Sequence, residues 1–104
     1  MNNIVERLSR QPGIRFSCLL KGSQVVASNF PPEKTAQLNR EAEIIRAIFQ
    51  GVRFAEKDYQ AIHLQGRDQL LAGYRFKNDH LLLLHADSRF SLEEMDQLLH
   101  CLKG

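Results

Sequence analysis

A chain of 104 residues has room for one small domain around one apolar core, so a single domain over 1–104 is expected. Hydrophobic residues at 43% and charged residues at 25% exclude a disordered chain, which lacks the apolar content to condense. Fourteen Lys and Arg against twelve Asp and Glu leave a net charge of +2, too small an excess for charge alone to mark a nucleic-acid surface.

The first ten residues carry Ile4, Val5 and Leu8 at helical spacing, with Asn2 or Asn3 as the cap and Pro12-Gly13 as the stop. This start has neither the basic opening nor the apolar stretch of a signal peptide. The longest apolar run, Leu81 to Leu84, falls far short of the ~20 residues of a membrane span. The expected location is the cytoplasm, where Cys18 and Cys101 stay reduced.

Ile14 to Leu20 alternates, which predicts a half-buried strand with Ile14, Phe16, Cys18 and Leu20 on one face. Gly22-Ser23 predicts a two-residue hairpin turn into a return strand, Gln24 to Ser28. Phe30-Pro31-Pro32 ends that pairing, since proline donates no ladder hydrogen bond. The longest helix is predicted from about Glu33 to Gln50, with Gly51 as a left-handed C-cap. Leu38, Ala42, Ile45 and Phe49 centre its apolar arc, and Ile44 and Ile48 widen one flank beyond what a single sheet contact requires.

Three strands follow in the prediction. Tyr59 to Gln65 ends at Gly66-Arg67-Asp68, Gln69 to Lys77 closes at Asn78-Asp79, and His80 to Ala86 is apolar on both faces, the mark of a central strand. Ser91 and Glu94 then match a capping box, with Phe90 and Met95 at the hydrophobic-staple positions. Leu92, Met95, Leu98, Leu99 and Leu102 give the last helix its stripe. The element order is α-β-β-α-β-β-β-α, an α+β domain.

Chemistry is sparse. His63, His80, His85 and His100 sit in no metal-ligand or metalloprotease spacing, and His100 and Cys101, adjacent on a helix, point apart. Cys18 shares a face with Phe16 and Leu20, as an inert buried thiol does. Gly22 lies between two strands, whereas a phosphate loop joins strand to helix. Glu41, Glu43, Glu93, Glu94 and Asp96 have the spacing of solvated helix faces and caps. Arg7, Arg10, Arg15 and Lys21 crowd the first fifth of the chain, but with few aromatics they predict a solvated surface and no nucleic-acid partner. No catalytic residue, cofactor or metal is expected.

Lys21-Gly22-Ser23-Gln24-Val25-Val26-Ala27-Ser28, together with the element order from about Ile4 to Leu102, resembles the Roadblock/dynein light chain family. Lys21 departs from the acidic residue that often precedes the turn glycine in that family, and the region around Gly66 has fewer glycines than in many members. The resemblance implies a five-stranded antiparallel sheet in the order 2-1-5-4-3, numbered along the chain. The first and last helices would cover one face and the long helix the other. It also implies a homodimer joined through the third strand and the long helices, with Ile44, Ile48, Tyr59, Ala61 and His63 at the interface. The implied function is non-catalytic: a scaffold or regulator that binds a partner protein, as bacterial members do with small Ras-like GTPases. The alternative from the residues themselves is a PAS-like or profilin-like sensor, with Tyr74, Phe76, His63 and His85 lining a small-ligand pocket between sheet and helix.

Overall fold

A strand apolar on both faces must lie inside a sheet with a layer packed on each side. The run Leu81–Leu84 does so in the computed structural model of the chain, which describes residues 3–51, 59–76 and 79–101, with the backbone alone at 101. Asn2, Lys77, Asn78, the Cys101 thiol and Leu102 lie outside the described residues. In chain order the elements are α1 (Ile4–Leu8), β1 (Ile14–Lys21), β2 (Gln24–Ser28), a 3-10 turn (Pro32–Lys34), α2 (Thr35–Gln50), β3 (Tyr59–Gln65), β4 (Leu70–Phe76), β5 (His80–Ala86) and α3 (Leu92–Cys101). All neighbouring strands are antiparallel and the sheet order is β2-β1-β5-β4-β3.

β5 divides its side chains between two cores. Leu82, Leu84 and Ala86 pack with Ile4, Val5 and Leu8 of α1 and Met95 and Leu99 of α3. Leu81 and Leu83 meet Leu38, Ala42, Ile45 and Phe49 of α2 on the opposite face. Each buried leucine contributes roughly 1.5–3 kcal/mol relative to exposure, so the two layers hold the sheet from both sides. Where α2 crosses β4, the chain uses Gly73: a Cβ there would stand 2.7 Å from Ile45 Cγ2. The absent side chain is what lets the helix approach the strand.

Local signals act as their chemistry requires. Gly22 adopts φ +60°, the positive angle of the β1–β2 turn, between the paired residues Lys21 and Gln24. Ser91 Oγ accepts the backbone N–H of Glu94 at 3.2 Å and so caps α3. Asn3 occupies the cap position of α1 without a side-chain capping bond.

Three expectations are corrected. β1 is not half-buried: Ser17, Cys18, Leu19 and Leu20 are all buried, because β1 lies between β2 and β5 with layers on both faces. A bulge at Arg15, where Ile14 pairs Ala86 and Phe16 already pairs His85, turns Ile14 into the α1–α3 core while Cys18 and Leu20 join the α2 core. The long helix begins at Thr35, after the 3-10 turn; Pro31, restricted by the proline after it, stays extended at ψ 147°. Gly51 has φ −86° and is no left-handed cap. Arg75 of β4 instead donates from Nη1 to the Phe49 carbonyl at 3.0 Å, with its guanidinium 4.9 Å from the Phe49 ring centroid. A cation from the sheet thus joins the Gly51 N–H at a carbonyl of the helix end.

Candidate functional site

β3 has a strand neighbour on one side, β4, with which it pairs in unbroken register from Tyr59↔Phe76 to Gln65↔Leu70. Strand geometry sends Tyr59, Ala61, His63 and Gln65 to one face and Gln60, Ile62 and Leu64 to the other. The first set lies on the α1–α3 side, where Tyr59 packs against that core. The second lies on the α2 side, where Ile62 joins the α2 core and Leu64 remains 37% exposed. From Ala61 to Gln65 the outer margin of this strand presents main-chain groups with no strand partner among the described residues, an arrangement that favours addition of another strand.

The flank of α2 completes the site. Arg46 donates from Nη2 to the Gly22 carbonyl, so that side of the helix faces the β1–β2 turn. Ile44 and Ile48 stand two residues to either side, about 200° around the helix at roughly 100° per residue, and therefore face away from that turn. They are 52% and 40% exposed, and Ile45 between them sits on Gly73 of β4. Ile44, Ile48 and Leu64 accordingly share one face of the sheet near its β3 margin, whereas Tyr59, Ala61 and His63 occupy the reverse face. Leu64 was missed in the sequence, although the alternation Gln60-Ile62-Leu64 carries the signal once the strand is known to be terminal.

On the reverse face a chain of rings runs along β3 and β4. Tyr59 lies 5.9 Å from Tyr74 and 6.0 Å from Phe76 between centroids, and its hydroxyl donates to the Asp96 carboxylate of α3. His63 Nε2 stands 3.0 Å from the Tyr74 hydroxyl, with the two rings edge to face. Burial, then the nearby Tyr59 and Asp96, pushes the ionisation of Tyr74 well up, so its hydroxyl keeps its proton and either donates to or accepts from the imidazole according to the ring's tautomer. Burial lowers the His63 pKa from its ordinary 6.5.

The other candidate groups lie apart. His85 is buried on the α2 side and its Nε2 reaches both Glu41 carboxylate oxygens, at 2.7 and 2.9 Å. His100 stands 3.9 Å from Asp96 on an exposed stretch of α3. Burial pushes the Cys18 thiol up, outweighing its hydrogen bond with Ser28 and the charge of Arg46, which keeps it unreactive. Among the described residues no three His, Cys, Asp or Glu side chains come together as a metal site. No helix among them is long and apolar enough to cross a membrane. The residues named for a sensor pocket are divided by the sheet: Tyr74, Phe76 and His63 face α3, while His85 faces α2. His63 lines an open groove of about 490 Å³ with Gln65, Leu70, Phe90 and Leu92, whereas the cavity between Gln11, Ile14, Phe90, Met95 and Leu98 holds about 10 Å³, roughly the space of one water.

Comparison with protein-family models and with curated protein sequences finds no match.

Proposed function

We propose that the chain is a non-catalytic scaffold or regulator that forms a homodimer through β3 and the outer flank of α2 and binds a partner protein, a small Ras-like GTPase. The observation that carries the dimer is the coincidence of two unsatisfied surfaces. The outer main-chain groups of Ala61–Gln65 and the exposed side chains of Ile44, Ile48 and Leu64 lie at the same margin of the sheet. An isologous contact between two copies covers both at once, since each copy supplies the same strand and the same helix. Pairing β3 with its twin gives one continuous sheet, with the two α2 helices side by side on one face.

The GTPase as partner rests on the resemblance to the Roadblock/dynein light chain family, whose bacterial members act on such proteins. A platform of this kind works by holding its partner in position, and it requires no nucleophile, metal or cofactor. The setting in which such a partner is met is the cytoplasm.

Two measurements test the proposal. Light scattering on the eluted protein is expected to give twice the chain mass. Titration of small GTPases from the same source, loaded with GDP or GTP, is expected to give saturable binding that distinguishes the two nucleotide states. A monomer that binds neither form overturns the proposal.

A further inference from the structure

We infer that the β3 seam is acid-labile, and that His63 is the group through which protons open it. This inference rests on the proposed dimer and concerns how that same surface is regulated. His63 lies on the terminal strand, inside Ala61–Gln65, with its Nε2 committed to the hydroxyl of a buried tyrosine. While the imidazole is neutral, its tautomer sets whether that nitrogen accepts the Tyr74 proton or donates to the Tyr74 oxygen. Once protonated it becomes a donor, and the Tyr74 hydroxyl must turn its own hydrogen elsewhere, in surroundings with little water.

The neighbours offer weak compensation for a charge at this point. From β4 comes Tyr74, and from α3 comes Asp96, already bound to the Tyr59 hydroxyl and facing His100. The groove beside His63 also contains Arg67, Asp68 and Asp87, and Asp87 is held by Arg89 at 3.0 Å and Arg15 at 3.8 Å. Among the described residues no carboxylate lies within ion-pair distance of His63.

Symmetry doubles the effect. Antiparallel pairing of β3 with its twin sends odd-numbered residues of both copies to the same face. With the dyad at His63, the middle of the stretch Ala61–Gln65 that has no outer strand partner among the described residues, His63 stands directly across from His63 of the second copy. The two imidazoles are then direct cross-strand neighbours, with Cβ atoms roughly 4.5–5.5 Å apart. Pairing also covers each ring further, so two imidazolium ions would face one another with less water than either has in the separate chains. The lowered pKa of His63 in the single chain agrees with this direction, because the surroundings already disfavour the charge. Protons therefore bind more readily to the separated chains, and acid shifts the equilibrium toward them.

Sedimentation equilibrium of the full chain at about pH 8 and about pH 5, with circular dichroism in parallel, tests this across the titration range of histidine. The expected result is a folded dimer whose dissociation constant rises about tenfold or more in acid. His63→Gln keeps an acceptor for Tyr74 but cannot gain a proton, and its dissociation constant is expected to be the same at both values. A wild-type dimer equally tight in both conditions overturns the inference and leaves the dimer standing. So does a His63→Gln dimer that weakens as much as wild type, or dissociation accompanied by loss of the helical signal. A chain that is monomeric at about pH 8 overturns the dimer and, with it, the inference.

Discussion

The two margins of the sheet are built differently. β2 is short, and its pairing with β1 is interrupted: Leu19 meets Ala27 but Leu20 already meets Val25, so Val26 bulges from the ladder. Such a bulge twists the strand and spoils it as a template for another. β3 has no such interruption across its full register with β4. Both margins expose apolar side chains, Val25 and Val26 at 51% and 42% on one, and on the other Leu64, on the sheet face that α2 covers with its exposed Ile44 and Ile48. The β3 margin differs in offering a regular strand and an apolar helix flank together.

The largest expected effect breaks that comparison if it fails. Ile44→Glu with Ile48→Glu places charges on the helix flank, and the dissociation constant of the proposed dimer is expected to rise by about 100-fold or more, read by sedimentation. The matching change on the other margin, Val25→Lys, is expected to leave the mass unchanged. Equal effects from both would remove the distinction between the margins.

The next two changes sharpen it by asking how firmly α2 is held near β3. Gly73→Val drives a side chain into Ile45, and overpacking of this kind is expected to cost about 1–3 kcal/mol in denaturant titration at fixed protein concentration. Glu41→Leu leaves the buried His85 ring without its acceptor, at an expected cost of about 1–3 kcal/mol by the same measurement. The smallest effect lies toward the β2 side. Ser17 exchanges main-chain bonds with Asn29, its N–H going to Asn29 Oδ1 and its carbonyl accepting the Asn29 N–H. Its own buried hydroxyl finds no partner among the described residues. Ser17→Ala keeps both main-chain bonds, and its thermal midpoint is expected to stay level or rise slightly.

Much of the architecture was legible because it follows from short-range rules. The double-sided apolar run Leu81–Leu84 marked the central strand, Gly22-Ser23 marked the turn, and Ser91 marked the start of α3. The order of the strands came through family resemblance, since no local pattern states which edges meet. What stayed hidden was of two kinds. One extra residue at Arg15 resets the alternation, and a period of two cannot reveal where it breaks. Contacts between distant positions are equally silent: Glu41 with His85, and Arg75 with the Phe49 carbonyl, join residues that no local spacing relates. At the candidate site, Ile44 and Ile48 announced themselves as surplus on a helix. Leu64 did not, because its exposure depends on which strand lies beside it.

The polar link between Glu41 and His85 has a consequence for how the helix is seated. Greasy contacts between a helix and a sheet tolerate slippage, since one leucine replaces another at little cost. An imidazole sunk beneath the helix does not, because advancing the helix by one turn, about 5.4 Å, would part it from the Glu41 carboxylate and set it against Ile45 in one direction or the neutral Gln37 amide in the other. With Ile45 seated on Gly73, Arg46 on the Gly22 carbonyl and Arg75 on the Phe49 carbonyl, this contact works as a detent for the azimuth of the rod and for the direction in which its isoleucines look.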